Sequence, residues 1–413
     1  MRIRLPDGRS TVLTYCTNVH PIEDLAAARE ALSRYCGPVR RRLGAPTLSL
    51  GLWLSRRAAS ALKNSPGELE RFRRALEEDH LEVVTLNGFP YGDFHAERVK
   101  EEVYRPDWSD ARRYEYTSDL AHLLAELLPA DFSEGTISTL PLGYAPPSGA
   151  ERTQACAESL SRLAADLERL AERTSRVVRV CLEPEPDCLV ETTRHAIDFF
   201  WGPLRSAGKR LGVSDHALGQ HLGLCFDACH QAVQFEDPVE AWRSLQDAGI
   251  PVGKVQLSCA LEVPAASPPA AKELLAPFDE VRFLHQVRRR PASGVIDGRT
   301  DLGHALFGRE ALARDGDWRV HFHVPLHWRP SEAEGLHTTA ADLVRLLPAV
   351  LENESLPHLE VETYTWGVLP DHLRPRDDST LIQGIAREIE FAEREVTRCG
   401  AQRATTRSAR SDG

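Results

Sequence analysis

The chain has 413 residues, of which 42% are hydrophobic and 27% are charged, and its formal net charge at pH 7 is −11. A globular chain of this length can bury a core without disulfides or a structural metal. The acidic balance argues against broad electrostatic binding to nucleic acid or to an anionic membrane, and no window approaches the ~20 apolar residues that a membrane helix needs.

Short β-rich runs alternate with helical patterns along the whole chain. Eight runs have the length and composition of strands, namely 11–17, 47–54, 81–87, 136–142, 177–183, 221–227, 252–258 and 358–363. Between them, apolar residues recur at helical spacing, as at Leu69, Phe72 and Leu76 or at Leu160, Leu163, Leu167 and Leu170. Strand and helix alternating about eight times predict a parallel (β/α)8 barrel.

Two helix starts are predicted from capping residues. Pro21 should begin the first helix, with Glu23 and Asp24 in its first turn, where carboxylates complement the helix dipole. Thr338 should cap a late helix. An open doubly wound sheet is the alternative fold, but no glycine-rich dinucleotide loop follows the first strand.

We expect residues 1–397 to form one domain with an insertion at about 260–357, because the stretch between the seventh and eighth strands is too long for one crossover. Within it, 262–277 is expected to be a surface loop and 288–290 to lie in a basic loop. The run 319–326 is either an inserted strand or the true seventh barrel strand. Residues 398–413 are expected to be a disordered tail.

The cysteines indicate in which cellular compartment the protein is found. There are nine, an odd number, and several lie in apolar runs, for example Cys16, Cys181, Cys225 and Cys259. We therefore expect buried, reduced thiols and a cytoplasmic protein. The first eight residues lack the apolar stretch of a signal peptide, which agrees with this expectation.

Carboxylates stand at the ends of three predicted strands. Glu183 and Glu185 follow the fifth strand, Asp227 ends the sixth, and Glu360 and Glu362 end the eighth. In a barrel, such strand ends share one mouth. Like charges placed together need a cation or raised pKa values in order to coexist. A divalent cation with oxygen-rich ligands is the simplest interpretation.

Other polar residues near these strand ends are candidates for contacting a substrate. They are His230, Asn18, His20, Asn87 and, in the insertion, His285. For Asn18 and Asn87 the alternative is that they only shape turns. His285 and Gln286 reach the site only if the insertion folds over it.

The segment around Tyr104, Asp107 and Trp108 is interpreted as a lid over the mouth or, equally, as a packed loop.

The strand-end pattern resembles a known superfamily. Glu183 after strand five, Asp227-x-x-His230 at strand six and Glu362 at strand eight are similar to the pattern of xylose-isomerase-like sugar isomerases and epimerases, a superfamily that includes endonuclease IV-type barrels. Several phrases more specifically resemble the EboE-type metabolite-traffic proteins, and they are LTYCTNVHP (13–21), TLNGFPYGDFH (85–95), VYRPDW (103–108), STLPLGY (138–144), LEPEPDCLVET (182–192), CFDACHQAVQFEDP (225–238), VHFHVPLH (320–327) and LEVETYTW (359–366).

The resemblance implies a metal site. Its ligands would be Glu183, Asp227 and Glu362 with a histidine from strand seven, and the ion would be Mn, Mg, Co or Zn. Strand seven departs from the pattern, because Gln256 stands where the histidine is expected. Either Gln256 ligates through its amide oxygen, or His321 or His323 supplies the nitrogen, or the site has decayed.

Three functions follow from the resemblance. The first is a metal-dependent isomerase or epimerase of a sugar-like molecule, with Glu183 and Glu362 as base and acid and His230 holding a substrate hydroxyl. The second is a non-catalytic barrel that binds a metabolite and works with other metabolite-traffic proteins. The third, DNA repair of the endonuclease IV type, is disfavoured by the acidity of the chain and the missing basic stripe.

Overall fold

The computed structural model describes residues 1–144, 149–330 and 332–404. These residues form fifteen strands, which in chain order are β1 Arg2–Arg4, β2 Ser10–Cys16, β3 Leu48–Trp53, β4 Leu81–Asn87, β5 Glu134–Thr139, β6 Val177–Leu182, β7 Leu222–Asp227, β8 Val252–Leu257, β9 Leu261–Val263, β10 Val287–Arg290, β11 Asp297–Arg299, β12 Asp317–Val320, β13 His337–Thr338, β14 His358–Val361 and β15 Gln402–Arg403.

The same residues form fourteen α-helices, which are α1 Leu25–Ala31, α2 Gly37–Arg42, α3 Arg56–Lys63, α4 Pro66–Glu78, α5 Ala111–Leu127, α6 Gly149–Thr174, α7 Thr193–Phe199, α8 Arg205–Leu211, α9 Asp215–His221, α10 Ala228–Val233, α11 Pro238–Asp247, α12 Leu302–Leu306, α13 Ala340–Glu352 and α14 Asp378–Arg398. Short 3-10 helices span Thr17–Val19, Lys100–Tyr104, Pro269–Phe278, Glu332–Glu334 and Tyr364–Val368, and π-helical turns span Leu32–Cys36 and Phe200–Leu204.

Eight parallel strands close into a barrel. Strands β2 to β8 pair in chain order, and β14 pairs with both β8 and β2. Leu359 lies opposite Leu13 in the pairing that closes the sheet. The predicted (β/α)8 barrel is confirmed, and an open doubly wound sheet is excluded because the last barrel strand pairs with the first. The strand Val252–Leu257 is the seventh of the barrel, since it lies between β7 and β14.

The chain between β8 and α13 forms a second sheet. Its five strands are antiparallel, in the order β11-β10-β12-β9-β13. The run near 319 is therefore an inserted strand and not a barrel strand. The expected basic loop is wrong, because residues 288–290 belong to β10, where the buried Val287 lies opposite Val320. Part of the expected loop 262–277 is a 3-10 helix.

Two helices begin later in the chain than predicted. Helix α1 begins at Leu25 and not at Pro21, because the side chain of Asp24 accepts a hydrogen bond from the backbone N–H of Ala27 and so is the N-cap. Helix α13 begins after Thr339, since Thr338 pairs in β13.

The end of the chain also differs from the expectation. Strand β15 pairs with β1, so residues 402–403 are part of the barrel sheet. The expected tail at 405–413 lies outside the described residues.

The barrel interior carries polar side chains. The strand register places Asp227, Gln256 and Glu360 beside one another on neighbouring strands, so they share the face that points to the barrel axis. On β3, a Cβ atom at Gly51 would lie 1.2 Å from Oε2 of Glu360. The glycine is therefore required where the Glu360 carboxylate crosses the β3 backbone.

The thiols agree with the sequence-based expectation. All nine cysteines are free, and eight of them are buried, so the fold uses their side chains as small core groups. Among the described residues, every helix is too short or too polar to cross a membrane.

Candidate metal centre and its cavity

Three carboxylates meet at the C-terminal mouth of the barrel. Glu183 follows β6, Asp227 ends β7 and Glu362 follows β14, and one oxygen from each lies within 4.8 Å of the others. Their exposed fractions are 3%, 0% and 4%. Within the described part of the chain, no lysine or arginine forms an ion pair with any of the three, and the nearby Lys254 is bound to Glu360 instead. The predicted convergence of acidic strand ends is therefore present in the structure.

Hydrogen bonds orient these carboxylates but leave some of their oxygens without a partner. Oε1 of Glu362 accepts from Nδ2 of Asn18 at 3.0 Å and from Nδ2 of Asn87 at 2.9 Å. Oδ1 of Asp227 accepts from the backbone N–H of His230 at 2.8 Å. Oε2 of Glu183 and Oδ2 of Asp227 are buried without a partner. Buried carboxylate oxygens rarely lack a donor or a cation, so these two fit a metal ion.

Three histidines surround the carboxylates, and their tautomers are set by carbonyl acceptors. Nδ1 of His323 donates to the backbone oxygen of Glu362 at 2.8 Å, and Nδ1 of His230 donates to that of Pro184 at 2.9 Å. Nδ1 of His321 donates to Oε1 of Gln286 at 2.6 Å. A neutral imidazole that donates through Nδ1 presents a lone pair at Nε2. Each histidine therefore offers a metal-ligating nitrogen.

His323 is placed to join the three carboxylates. Its Nε2 is buried without a partner, 3.9 Å from Oδ2 of Asp227. It reaches the mouth from the segment after β12, above the barrel. His323 thus presents a nitrogen without a partner beside Asp227.

Burial shifts the pKa values of these groups in the directions that favour their neutral forms. It raises the pKa of Glu183 well above its usual value, and the negative charges of Glu362 and Asp227 add to the shift. The pKa of Glu362 is also raised, by burial and then by Asp227. The pKa of His230 falls to about 4 because burial disfavours its cation. The three carboxylates thus have no basic side chain in direct contact, and a bound cation would favour their ionised forms.

A small cavity lies against the cluster. Part of its wall is aromatic and includes Phe89, Phe94, Phe283 and Tyr364. Its polar part contains eight of the residues predicted from sequence, which are Asn18, Asn87, Glu183, Glu185, His230, His321, His323 and Glu362. The cavity thus combines polar and aromatic lining residues, as small-molecule sites commonly do.

Glu185 lies at the edge of the cluster. Its Oε1 accepts from the hydroxyl of Tyr104 at 2.6 Å, and its Oε2 is buried without a partner. Burial raises its pKa to about 8. Tyr104 borders the cavity as the lid hypothesis expects, whereas Trp108 is fully buried in the core.

Two predicted substrate ligands do not reach the cavity. Glu360 lies deeper in the barrel, where its Oε1 pairs with Nζ of Lys254 at 2.6 Å and its Oε2 accepts from Thr14. His20 is fully buried, and its ring stacks on Tyr35 with 4.3 Å between the centroids. Both positions contradict the predicted contact with a substrate, because neither side chain borders the open space.

His285 and Gln256 also lie away from the cavity. Both ring nitrogens of His285 are occupied, by the backbone oxygen of His321 at 2.9 Å and by Oε1 of Glu280 at 2.8 Å. His285 therefore acts as a support behind the site, which corrects the prediction for it. Both amide atoms of Gln256 are buried without a partner, but the side chain does not border the cavity.

Some residues of the site were not recognised from sequence. The aromatic wall residues Phe94, Phe283 and Tyr364 come from three separate segments, and nothing in the local pattern brings these segments together. For Lys254 a signal existed, because a lysine in an apolar strand requires a buried counter-charge.

Comparison with known proteins gives structural neighbours alone. No protein-family model matches the chain, and no curated protein matches it. A xylose isomerase domain protein from Planctomyces limnophilus is 12% identical with a TM-score of 0.47, and the alignment covers 88% of this chain and 92% of that one. A xylose isomerase domain protein from Alicyclobacillus acidocaldarius is 14% identical with a TM-score of 0.47, covering 94% and 100%.

A third solved structure is a xylose isomerase-like TIM barrel protein from Mycobacterium smegmatis in complex with magnesium. It is 12% identical with a TM-score of 0.46, and the alignment covers 95% of this chain and 94% of that one. The closed eight-stranded sheet itself establishes the (β/α)8 barrel, and these three solved structures are two xylose isomerase domain proteins and one xylose isomerase-like TIM barrel protein.

Proposed function

We propose that this protein is a divalent-metal-dependent isomerase or epimerase of a small, sugar-like molecule that carries a carbonyl beside a hydroxyl-bearing carbon. The observation that carries the proposal is the convergence of Glu183, Asp227 and Glu362 within 4.8 Å in a buried mouth. Three buried carboxylates without basic partners are stable together only with protons or a cation.

The donor set fits a divalent ion. Oxygens of Glu183, Asp227 and Glu362 with Nε2 of His323 would hold it, because Oε2 of Glu183, Oδ2 of Asp227 and Nε2 of His323 all lack a partner in the fold. A set of three carboxylates and one imidazole suits Mn, Co, Zn or Mg. Backbone and amide contacts to the far side of each ligand act as the supporting shell that metal sites require.

The proposed reaction depends on which side chains can remove a proton from the substrate and return one to it. When bound, the ion polarises the substrate carbonyl and the neighbouring hydroxyl. Glu183 and Glu362 stand after strands that are separated by β7 and β8, so they approach the cavity from different sides. One would remove the proton from the carbon and the other would return a proton. The aromatic wall keeps water from the reacting carbon.

Proton exchange tests this function. Ketoses and hydroxyketones are incubated in heavy water with the protein and Mn²⁺ or Co²⁺, and deuterium uptake beside the carbonyl is followed by NMR. We expect Glu183→Gln and Glu362→Gln to lower the exchange rate by roughly 10²- to 10⁴-fold.

Glu82→Gln is the matched control for this experiment. Glu82 is a partly buried carboxylate near the start of β4, bound to Arg2 and Ser49, far from the mouth, and its variant should keep the wild-type rate. Equal rates in all four proteins, or exchange that persists after removal of every divalent ion, would contradict the proposal.

A barrel that binds a metabolite without changing it is the second candidate. It is favoured by the fact that both candidate proton-transfer groups are also candidate ion ligands, with Glu362 already holding two amides. The resemblance to EboE-type proteins belongs with this function, and other metabolite-traffic proteins would be its partners. Saturable ligand binding with no exchange in the presence of any of the metals would favour it.

A further inference from the structure

We propose that Glu388, on helix α14, is a positioning residue whose carboxylate ties together the two segments that carry Glu362 and His323, and so holds these two side chains within reach of one divalent ion. The inference rests on the proposed function and adds to it a residue that contacts neither the ion nor the substrate. The side chain of Glu388 is 1% exposed and does not border the cavity.

The carboxylate of Glu388 accepts hydrogen bonds from two separate segments of the chain. Its Oε1 accepts from the backbone N–H of Leu326 at 3.0 Å and from the hydroxyl of Thr363 at 2.7 Å. Leu326 belongs to the insertion and lies three residues after His323. Thr363 directly follows Glu362. One carboxylate therefore joins the insertion to the segment after β14.

The surface of α14 around Glu388 is shaped to receive Trp366 from the segment after β14. Oε2 of Glu388 accepts from Nε1 of Trp366 at 3.2 Å. One turn earlier on the helix, a Cβ atom at Gly384 would lie 2.5 Å from Cη2 of Trp366. A glycine is therefore required where the indole ring approaches the helix backbone. The ring and the hydrogen bond together fix this segment against α14.

Further hydrogen bonds connect these anchored segments to the candidate ligands. Nδ1 of His323 donates to the backbone oxygen of Glu362 at 2.8 Å, and the hydroxyl of Thr365 donates to the backbone oxygen of His323. The two candidate ligands are thus held by contacts between their own segments, and Glu388 anchors both segments from the side of α14. A shift of either segment would move Nε2 of His323 relative to the carboxylate of Glu362.

The stability of the fold alone does not account for a carboxylate at this position. All three donors to Glu388 are uncharged groups, and burial raises its pKa to about 7, although these hydrogen bonds oppose the rise. Burying a charge without a cation costs stability. The two oxygens of a carboxylate can accept all three hydrogen bonds, whereas a glutamine would turn an NH₂ group toward one of the donors.

Replacing this carboxylate by an amide should weaken ion binding. Glu388→Gln keeps the size of the side chain but cannot accept all three hydrogen bonds, so the two segments lose their common anchor. Loss of a supporting contact behind metal ligands typically lowers ion affinity by ~10- to 100-fold. We expect the lower end of this range, because Glu388 acts on the ligands through neighbouring residues.

Titration with Co²⁺ tests the positioning role. The full chain is stripped with a chelator, and the Kd for Co²⁺ is measured by calorimetry together with the visible absorption of the bound ion, which reports its coordination geometry. We expect Glu388→Gln to raise the Kd by about 10-fold and to change the absorption bands. Urea unfolding of the metal-free proteins, measured in parallel, separates a loss of affinity from a loss of stability.

Glu395→Gln is the matched control. Glu395 lies two turns beyond Glu388 on the same helix, is 5% exposed, and its carboxylate pairs with Arg398 at 2.7 Å. Its variant should keep the wild-type Kd and absorption bands. Trp366→Phe removes only the donor to Oε2 of Glu388 and should raise the Kd by less than Glu388→Gln does.

The outcomes separate the positioning role from the proposed function. A wild-type Kd in Glu388→Gln, or an equal rise in Glu388→Gln and Glu395→Gln, overturns the positioning role while the ion centre remains. If Glu388→Gln does not fold, Trp366→Phe decides, since a wild-type Kd in that variant overturns the role and a raised Kd supports it. A wild-type protein that binds no divalent ion overturns the proposed function together with the positioning role.

Discussion

Lys254 lies inside the barrel, one layer below the candidate metal centre. Its Nζ is 2.6 Å from Oε1 of Glu360, and both side chains are fully buried. The pair explains why Glu360 is not part of the site, although it stands on the same strand face as Glu362. It also places a positive charge under the mouth, and this charge opposes the rise in the pKa values of Glu183 and Glu362.

Replacing one member of this pair should destabilise the fold more than replacing both members. In Lys254→Met, the carboxylate of Glu360 stays buried without its partner, so we expect a loss of ~3–5 kcal/mol in the free energy of unfolding. The double variant Lys254→Met/Glu360→Gln should recover most of that loss. Urea unfolding of the wild type, both single variants and the double variant measures the coupling. A double variant that is no more stable than Lys254→Met would show that the pair is not the cause.

The sequence predicted the convergence of the carboxylates better than the position of the candidate nitrogen ligand. Glu183, Asp227 and Glu362 follow from one rule, since each ends an apolar strand and strand ends of a parallel barrel meet. The choice among Gln256, His321 and His323 stayed open, because it depends on where the insertion lies over the barrel. Strand periodicity carries no information about that long-range contact.

At the scale of elements, the eight barrel strands were all predicted from their composition. Their apolar, β-branched runs are bounded by turn residues, which is a local signal. Helix starts were less accurate, since the side chain of Asp24 caps one residue before Leu25 while Pro21 lies outside the helix. The short strands of the insertion were mostly missed, because three- or four-residue strands with charged faces resemble loops.

Helix α14 offers a test of capping. Asp377 accepts from the backbone N–H of Thr380 at 2.8 Å and forms a capping box with it. We expect Asp377→Ala to lower the free energy of unfolding by about 0.5–2 kcal/mol, because the first turn loses its acceptor. Asp371→Ala is the control, since Asp371 is 94% exposed and makes a surface ion pair with Arg374, which should contribute under ~1 kcal/mol. Equal losses in the two variants, measured by urea unfolding, would argue against the cap.

The whole molecule combines two sheets in one site. The barrel brings carboxylates to its mouth, and segments that adjoin β10 and β12 of the inserted sheet add Gln286, His321 and His323. The proposed metal centre needs both parts for its ligands. The closed barrel could be predicted from eight repeats of strand and helix, but the strand order of the insertion could not, because its pairings are not sequential.

An anomalous difference map tests the convergence of these ligands most directly. Crystals grown with Co²⁺ or Zn²⁺ are measured at the absorption edge of the metal. We predict a peak in contact with Glu183, Asp227, Glu362 and His323, with ligand distances of about 2.0–2.3 Å. A mouth without a peak, in which the three carboxylates are protonated and hydrogen-bonded to one another or paired with separate basic side chains, would contradict the metal centre and the isomerase function built on it.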